Sequence, residues 1–162
     1  MKKILALVLV LGLFFAGNVF AQQGKGYIMP TFGFGFGSMK PDQGKSADVS
    51  GFVGTFDFVS SYGLALGFQV INGVADFGSG GGKMAGSFSS VGVGYTYDGG
   101  NWSLGGKFMT SANDGDEKLL NGLNINGTYW IVPDIGITGM FDYRGNSDWK
   151  LNVFSVGVSL KI

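Results

Sequence analysis

The chain has 162 residues, room for one ordinary domain, with eleven basic and eleven acidic residues and neither histidine nor cysteine. That excludes disulfides, thiolate metal sites, thiol catalysis and any histidine-based triad, and so even a charge balance excludes a nucleic-acid binder. Only 14% of residues are charged, against about 25% in soluble domains, while 15 Phe, 6 Tyr and 3 Trp must face something other than water.

The first element is an export signal. Lys2 and Lys3 supply a positive start, Ile4 to Phe15 is apolar except for Gly12, and Val19-Phe20-Ala21 offers small residues at the two positions a signal peptidase reads. Cleavage after Ala21 is expected, with residues 1–21 removed and 22–162 forming the mature domain. The apolar run is too short for a spanning helix, which needs roughly 20 residues. No cysteine follows the cleavage point, so a lipoprotein anchor there is excluded. Loss of Lys2 and Lys3 leaves nine basic residues against eleven acidic ones.

Nothing after residue 21 is apolar for long enough to cross a membrane as a helix. What recurs instead is two-residue alternation, the mark of strands with unlike faces. A first strand sets Ile28, Pro30, Phe32, Phe34 and Phe36 against Met29, Thr31, Gly33, Gly35 and Gly37, with Pro30 tolerable near a strand end. The second opposes Phe52, Phe56 and Phe58 to Val53, Thr55 and Asp57. The third opposes Leu64, Leu66, Phe68 and Val70 to Ala65, Gly67 and Gln69. Val91, Val93, Tyr95 and Tyr97 alternate with Gly92, Gly94 and Thr96 in the fourth, and Trp102, Leu104 and Phe108 with Ser103, Gly105 and Lys107 in the fifth. The sixth carries Leu123, Ile125, Tyr129 and Ile131 opposite Asn124, Asn126 and Thr128. The seventh sets Ile135, Ile137, Phe141 and Tyr143 against Gly136, Thr138, Met140 and Asp142. The last runs Phe154, Val156, Val158, Leu160 and Ile162 against Ser155, Gly157, Ser159 and Lys161.

Connections alternate in length. Tight turns are expected at 59–62, 98–101 and 132–134, and longer, charge-bearing loops at 38–47, 72–84, 111–118 and 144–148. The face opposite the apolar one is mostly Gly, Ser, Thr and Asn, which suits a narrow lumen better than a water-exposed surface. An eight-stranded barrel has an interior only about wide enough for side chains to fill. The expected fold is therefore all-β, an eight-stranded antiparallel up-and-down transmembrane barrel, with its apolar face toward lipid. Trp102, Tyr97, Tyr129, Tyr143 and Trp149 are expected in interfacial girdles.

The mature chain resembles the small bacterial outer-membrane β-barrel proteins of the OmpX and OmpA-barrel type, including the opacity-like group. The most specific part is the terminal strand, where Phe154, Val156, Val158, Leu160 and Ile162 look like the signal read by the barrel assembly machinery. In that family the last residue is usually aromatic, and here it is Ile162. The resemblance implies an outer-membrane location, short periplasmic turns, external loops and outer-membrane lipid as a partner. Barrel enzymes of this size, the lipid A acyltransferases and deacylases, use a histidine that this chain lacks.

Other motifs carry little chemistry. The stretch Gly78 to Lys83 fails the phosphate-loop spacing, because Phe77 and Met84 stand where Gly and Ser or Thr are needed. Asn113 to Glu117 has carboxylates for calcium without the full loop pattern. No catalytic residue, cofactor or metal ligand is expected. The informative residues are inward charges: Asp57, Lys107 and Asp142, with Lys161. Buried charges need partners, so Lys107 and Asp142 are expected to pair across the lumen and plug it. The function expected is a non-enzymatic surface barrel with a structural, adhesion-type or envelope role and an unknown surface ligand. The alternatives are a narrow porin-like channel for ions or small solutes and a soluble periplasmic lipocalin-like binder.

Overall fold

A computed structural model describes residues 26–42, 44–79, 81–112 and 120–162. The leader expected at 1–21 and the 113–117 cluster lie outside the described residues. Eight strands follow in chain order: β1 Tyr27–Pro41, β2 Ala47–Val59, β3 Leu64–Asp76, β4 Lys83–Asp98, β5 Trp102–Ala112, β6 Leu120–Val132, β7 Ile135–Gly145 and β8 Trp149–Leu160. Each pairs antiparallel with its sequence neighbour, and β1 pairs with β8 to close the barrel. The last residue completes that seam, since Ile28 and Ile162 exchange both backbone hydrogen bonds, at 2.8 and 2.9 Å. Closure satisfies every strand edge, the condition for crossing hydrocarbon without a helix.

Alternation becomes a wall with two faces. Phe32, Phe52, Phe68, Val93, Leu104, Ile125, Ile137 and Val156 all point outward and are exposed. Outward rings meet across strands, with Phe34 and Phe52 edge to face at 5.7 Å and Phe36 and Phe154 at 5.6 Å. So continuous an apolar outer belt is what lipid requires and water opposes. A soluble lipocalin-shaped binder needs the reverse arrangement, with its apolar face inside. Tyr97, Trp102 and Tyr129 ring the belt near the turn end, as the girdle expectation had it, and Tyr95 is exposed beside them. Trp149 does not join them: it turns inward and packs against the core.

The strands run further than the alternation suggested. The segments 38–47 and 72–84, expected as loops, are mostly strand: β1 and β2 reach Pro41 and Ala47, and β3 and β4 reach Asp76 and Lys83. Connections 42–46, 77–82 and 146–148 are correspondingly short. The cause is an inversion of polarity at constant period. Beyond the apolar belt, the outward positions become Ser38, Lys40, Asp48, Ser50 and Asn72, while Met39, Ala47, Val49, Ile71 and Ala75 face inward and are buried. Where the outer wall meets water, the barrel is built like a soluble one.

A register shift between Trp130 and Val132 keeps Trp130 inward while Ile131 and Val132 both face out. Gly63 and Gly100 adopt positive φ in the turns at the other end.

Candidate functional site

Among the described residues the barrel lumen is the interior of the fold. At its loop end Met39, Ala47, Val49, Val53, Ile71, Ala75, Met140, Leu151 and Val153 form a buried apolar cluster, against which Phe77, Phe88 and Trp149 pack. Such a cluster excludes water and ions.

Against it pack four charges, each at most 2% exposed: Asp57 and Lys107 on its turn side, and Asp142 and Arg144 level with it, opposite Val153 and Leu151. They project from β2, β5 and β7 because inward positions recur every second residue. Lys107 Nζ donates to Asp57 Oδ2 at 2.5 Å. Gly67 on β3 makes room for this pair, since a Cβ there would lie 2.5 Å from Asp57 Oδ1 and 3.1 Å from Lys107 Cδ. Asp142 is held separately. It accepts from Arg144 Nη2 at 2.9 Å, Gln69 Nε2 at 2.9 Å and Asn124 Nδ2 at 3.1 Å, and Arg144 also donates to Gln69 Oε1. Two cations therefore meet two anions in a neutral group, as desolvated charges require.

The three residues expected to form a lumen charge cluster are all inside, but the pairing differs. Lys107 takes Asp57, and Asp142 takes Arg144, so the expected Lys107–Asp142 bond is not formed. The sequence reading had placed Arg144 in a loop. Continuing the alternation of Gly136, Thr138, Met140 and Asp142 by one step puts Arg144 on the same inner face, and that was the signal available.

Next toward the turn end, hydroxyls link around the wall. Thr31 and Ser159 are 2.5 Å apart, Ser159 and Thr138 2.5 Å, and Thr138 and Thr128 2.7 Å. At the turn-end mouth Lys161 Nζ pairs with Asp98 Oδ2 at 2.5 Å and stands 4.5 Å from the Tyr27 ring centre and 5.0 Å from that of Trp130. A cleft of about 670 Å³, lined by Tyr27, Ser60, Tyr62, Thr96, Asp98 and Lys161, opens there. No group of three or more potential metal ligands occurs among the described residues. The stretch Gly78 to Lys83 closes the β3–β4 hairpin, with the Gly78 amide donating to Asp76 Oδ1 and Lys83 paired to Asp76 at 3.3 Å. It does not open onto a helix, as a phosphate loop does.

No family model matches the chain. No curated protein matches it either. Solved structures do. The attachment invasion locus protein Ail of Yersinia pestis superposes with a TM-score of 0.60 at 14% identity, over 85% of this chain and 99% of that one. Ail has also been crystallised with the heparin analogue sucrose octasulfate. Neisserial surface protein A gives 0.56 at 13% identity, over 83% of this chain and 97% of its own. Outer membrane protein OprG of Pseudomonas aeruginosa gives 0.51 at 15%, over 85% and 96%. The fold is that of small bacterial outer-membrane β-barrels.

Proposed function

We propose that this protein is a non-enzymatic, non-conducting barrel of the outer membrane, serving the envelope through its outer wall and its external loops. The observation that carries the reading is the filled lumen, a buried apolar cluster packed against two buried ion pairs. In barrels of this class the longer connections are external and both termini periplasmic. That orientation puts the apolar cluster toward the cell exterior and the Lys161–Asp98 mouth toward the periplasm. Export by residues 1–21 and recognition of the terminal strand by the barrel assembly machinery belong to the same reading. The connections 42–46, 77–82 and 146–148 belong to the surface offered to an external partner, as an adhesion-type role requires.

Catalysis is disfavoured by the side chains themselves. Lys107, the one buried lysine among the described residues, has its ammonium committed to Asp57, and Asp142 accepts from three donors. A narrow channel needs a continuous wet path, which the apolar cluster interrupts.

Conductance across a planar bilayer tests the reading. The refolded barrel, shown closed by a heat-dependent shift on detergent gels, gives no channel steps above the bare membrane. Opening the apolar cluster by Leu151→Ser together with Val49→Ser is expected to produce them. Steady conductance from the unaltered protein would instead establish the channel.

A further inference from the structure

We infer that Lys40 and Lys150 form a seat for the phosphate of an anionic lipid in the outer leaflet. The inference uses the outer-membrane setting proposed above but nothing about the lumen.

The register places Lys40 of β1 directly opposite Lys150 of β8. Both occupy outward positions and are exposed. Neither belongs to an ion pair among the described residues, whereas Lys83, Lys107, Arg144 and Lys161 each have a carboxylate partner. Like charges facing each other across a strand pair are destabilising, so an anion bridging the two ammonium groups removes a cost the fold otherwise carries.

Depth selects the anion. One step toward the membrane on the same two strands, Ser38 faces Asn152, and a further step brings Phe36 opposite Phe154, their rings 5.6 Å apart. Tyr143, the partner of Asn152 on β7, sits at the same level, where tyrosines mark the boundary between headgroups and chains. The surface thus reads, from water inward, as two cations, two hydrogen-bonding side chains and an aromatic shelf. A lipid presents phosphate, polar linkage and acyl chain in that order and spacing. Beside the lysines lie Ser46 and Gly145, which leave the headgroup room. The nearby carboxylates are Asp42 and Asp148, two residues beyond the lysines on the water side, and Asp48, level with Ser38. Asp48 stands on β2, one strand to the side of the β1–β8 seam that carries the lysines.

The test uses the folded barrel in phosphatidylcholine vesicles with a trace of spin-labelled phosphatidylglycerol or spin-labelled phosphatidylcholine. Electron paramagnetic resonance reads the fraction of each label held at the protein wall. The unaltered barrel is expected to prefer the anionic lipid by up to about thirtyfold, the scale set by two lysines at an anionic surface. Lys40→Gln with Lys150→Gln brings the preference to about unity by the same reasoning. The double Lys→Arg variant keeps it, and Lys83→Gln leaves it unchanged. Retention of the preference in the Gln variant overturns the proposal. So does its loss when inorganic phosphate is added at constant ionic strength, which makes free phosphate the ligand. The gel shift confirms that each variant is folded. Symmetric vesicles present anionic lipid to both ends, so the result is independent of orientation and of whether the lumen conducts.

Discussion

Replacing Lys107 by Met tests how the lumen is held shut. The Lys107 ammonium lies 2.5 Å from Asp57 Oδ2, and both side chains are 1% exposed. Removing it strands a buried carboxylate, and breaking a buried pair from one side costs about 3–5 kcal/mol. Adding Asp57→Asn should recover most of that loss, because the stranded charge is gone and a well-packed neutral pair is about as stable as the ion pair. The four combinations form a double-mutant cycle, with a coupling between Lys107 and Asp57 of at least about 2 kcal/mol. A second cycle with Asp142→Asn should give much weaker coupling, since Asp142 keeps Arg144, Gln69 and Asn124 as donors. Urea unfolding in detergent micelles, followed by tryptophan fluorescence and the gel shift, supplies the free energies. The reasoning fails if Lys107→Met costs under about 1 kcal/mol, below any buried-pair penalty, or if Lys107 couples more strongly to Asp142 than to Asp57.

Three other outcomes follow from the same geometry. Gly67→Ala forces a methyl group to within 2.5 Å of Asp57 Oδ1 and should destabilise the barrel by about 1–3 kcal/mol in the same urea assay. Gly54→Ala, on the outer wall with nothing within 4 Å of the added atom, should be neutral or stabilising by up to about 1 kcal/mol, since glycine weakens a strand interior. At the β3–β4 hairpin, the Gly78 amide and then Lys83 hold the Asp76 carboxyl below its ordinary pKa. Its contribution is therefore complete at neutral pH and lost as pH falls through that lowered value. Amide exchange at Gly78 should accelerate there, and a titration of Asp76 at or above the usual carboxylate range would contradict the assignment.

The period of two from Ile28 onward settles most of the fold by itself. Phe32, Phe34 and Phe36 against Gly33, Gly35 and Gly37 can only be a strand with one greasy and one thin face, and eight such runs without a helical alternative must close to hide their edges. The same alternation put Asp57, Lys107 and Asp142 on one inner surface, because facing is a local property of the strand. Strand ends were not legible in this way. At Ser38 and Met39 the pattern keeps its period and reverses its sign, and a reader of sequence takes that reversal for a loop. Only the height of the wall relative to its apolar belt explains it. Pairing inside the lumen was also beyond local pattern. Which of two carboxylates Lys107 reaches depends on how β2, β5 and β7 are brought round the closed wall, and on the gap left at Gly67. The juxtaposition of Lys40 with Lys150 has the same origin. These residues are 110 positions apart in the chain, and only closure of β1 on β8 makes them neighbours.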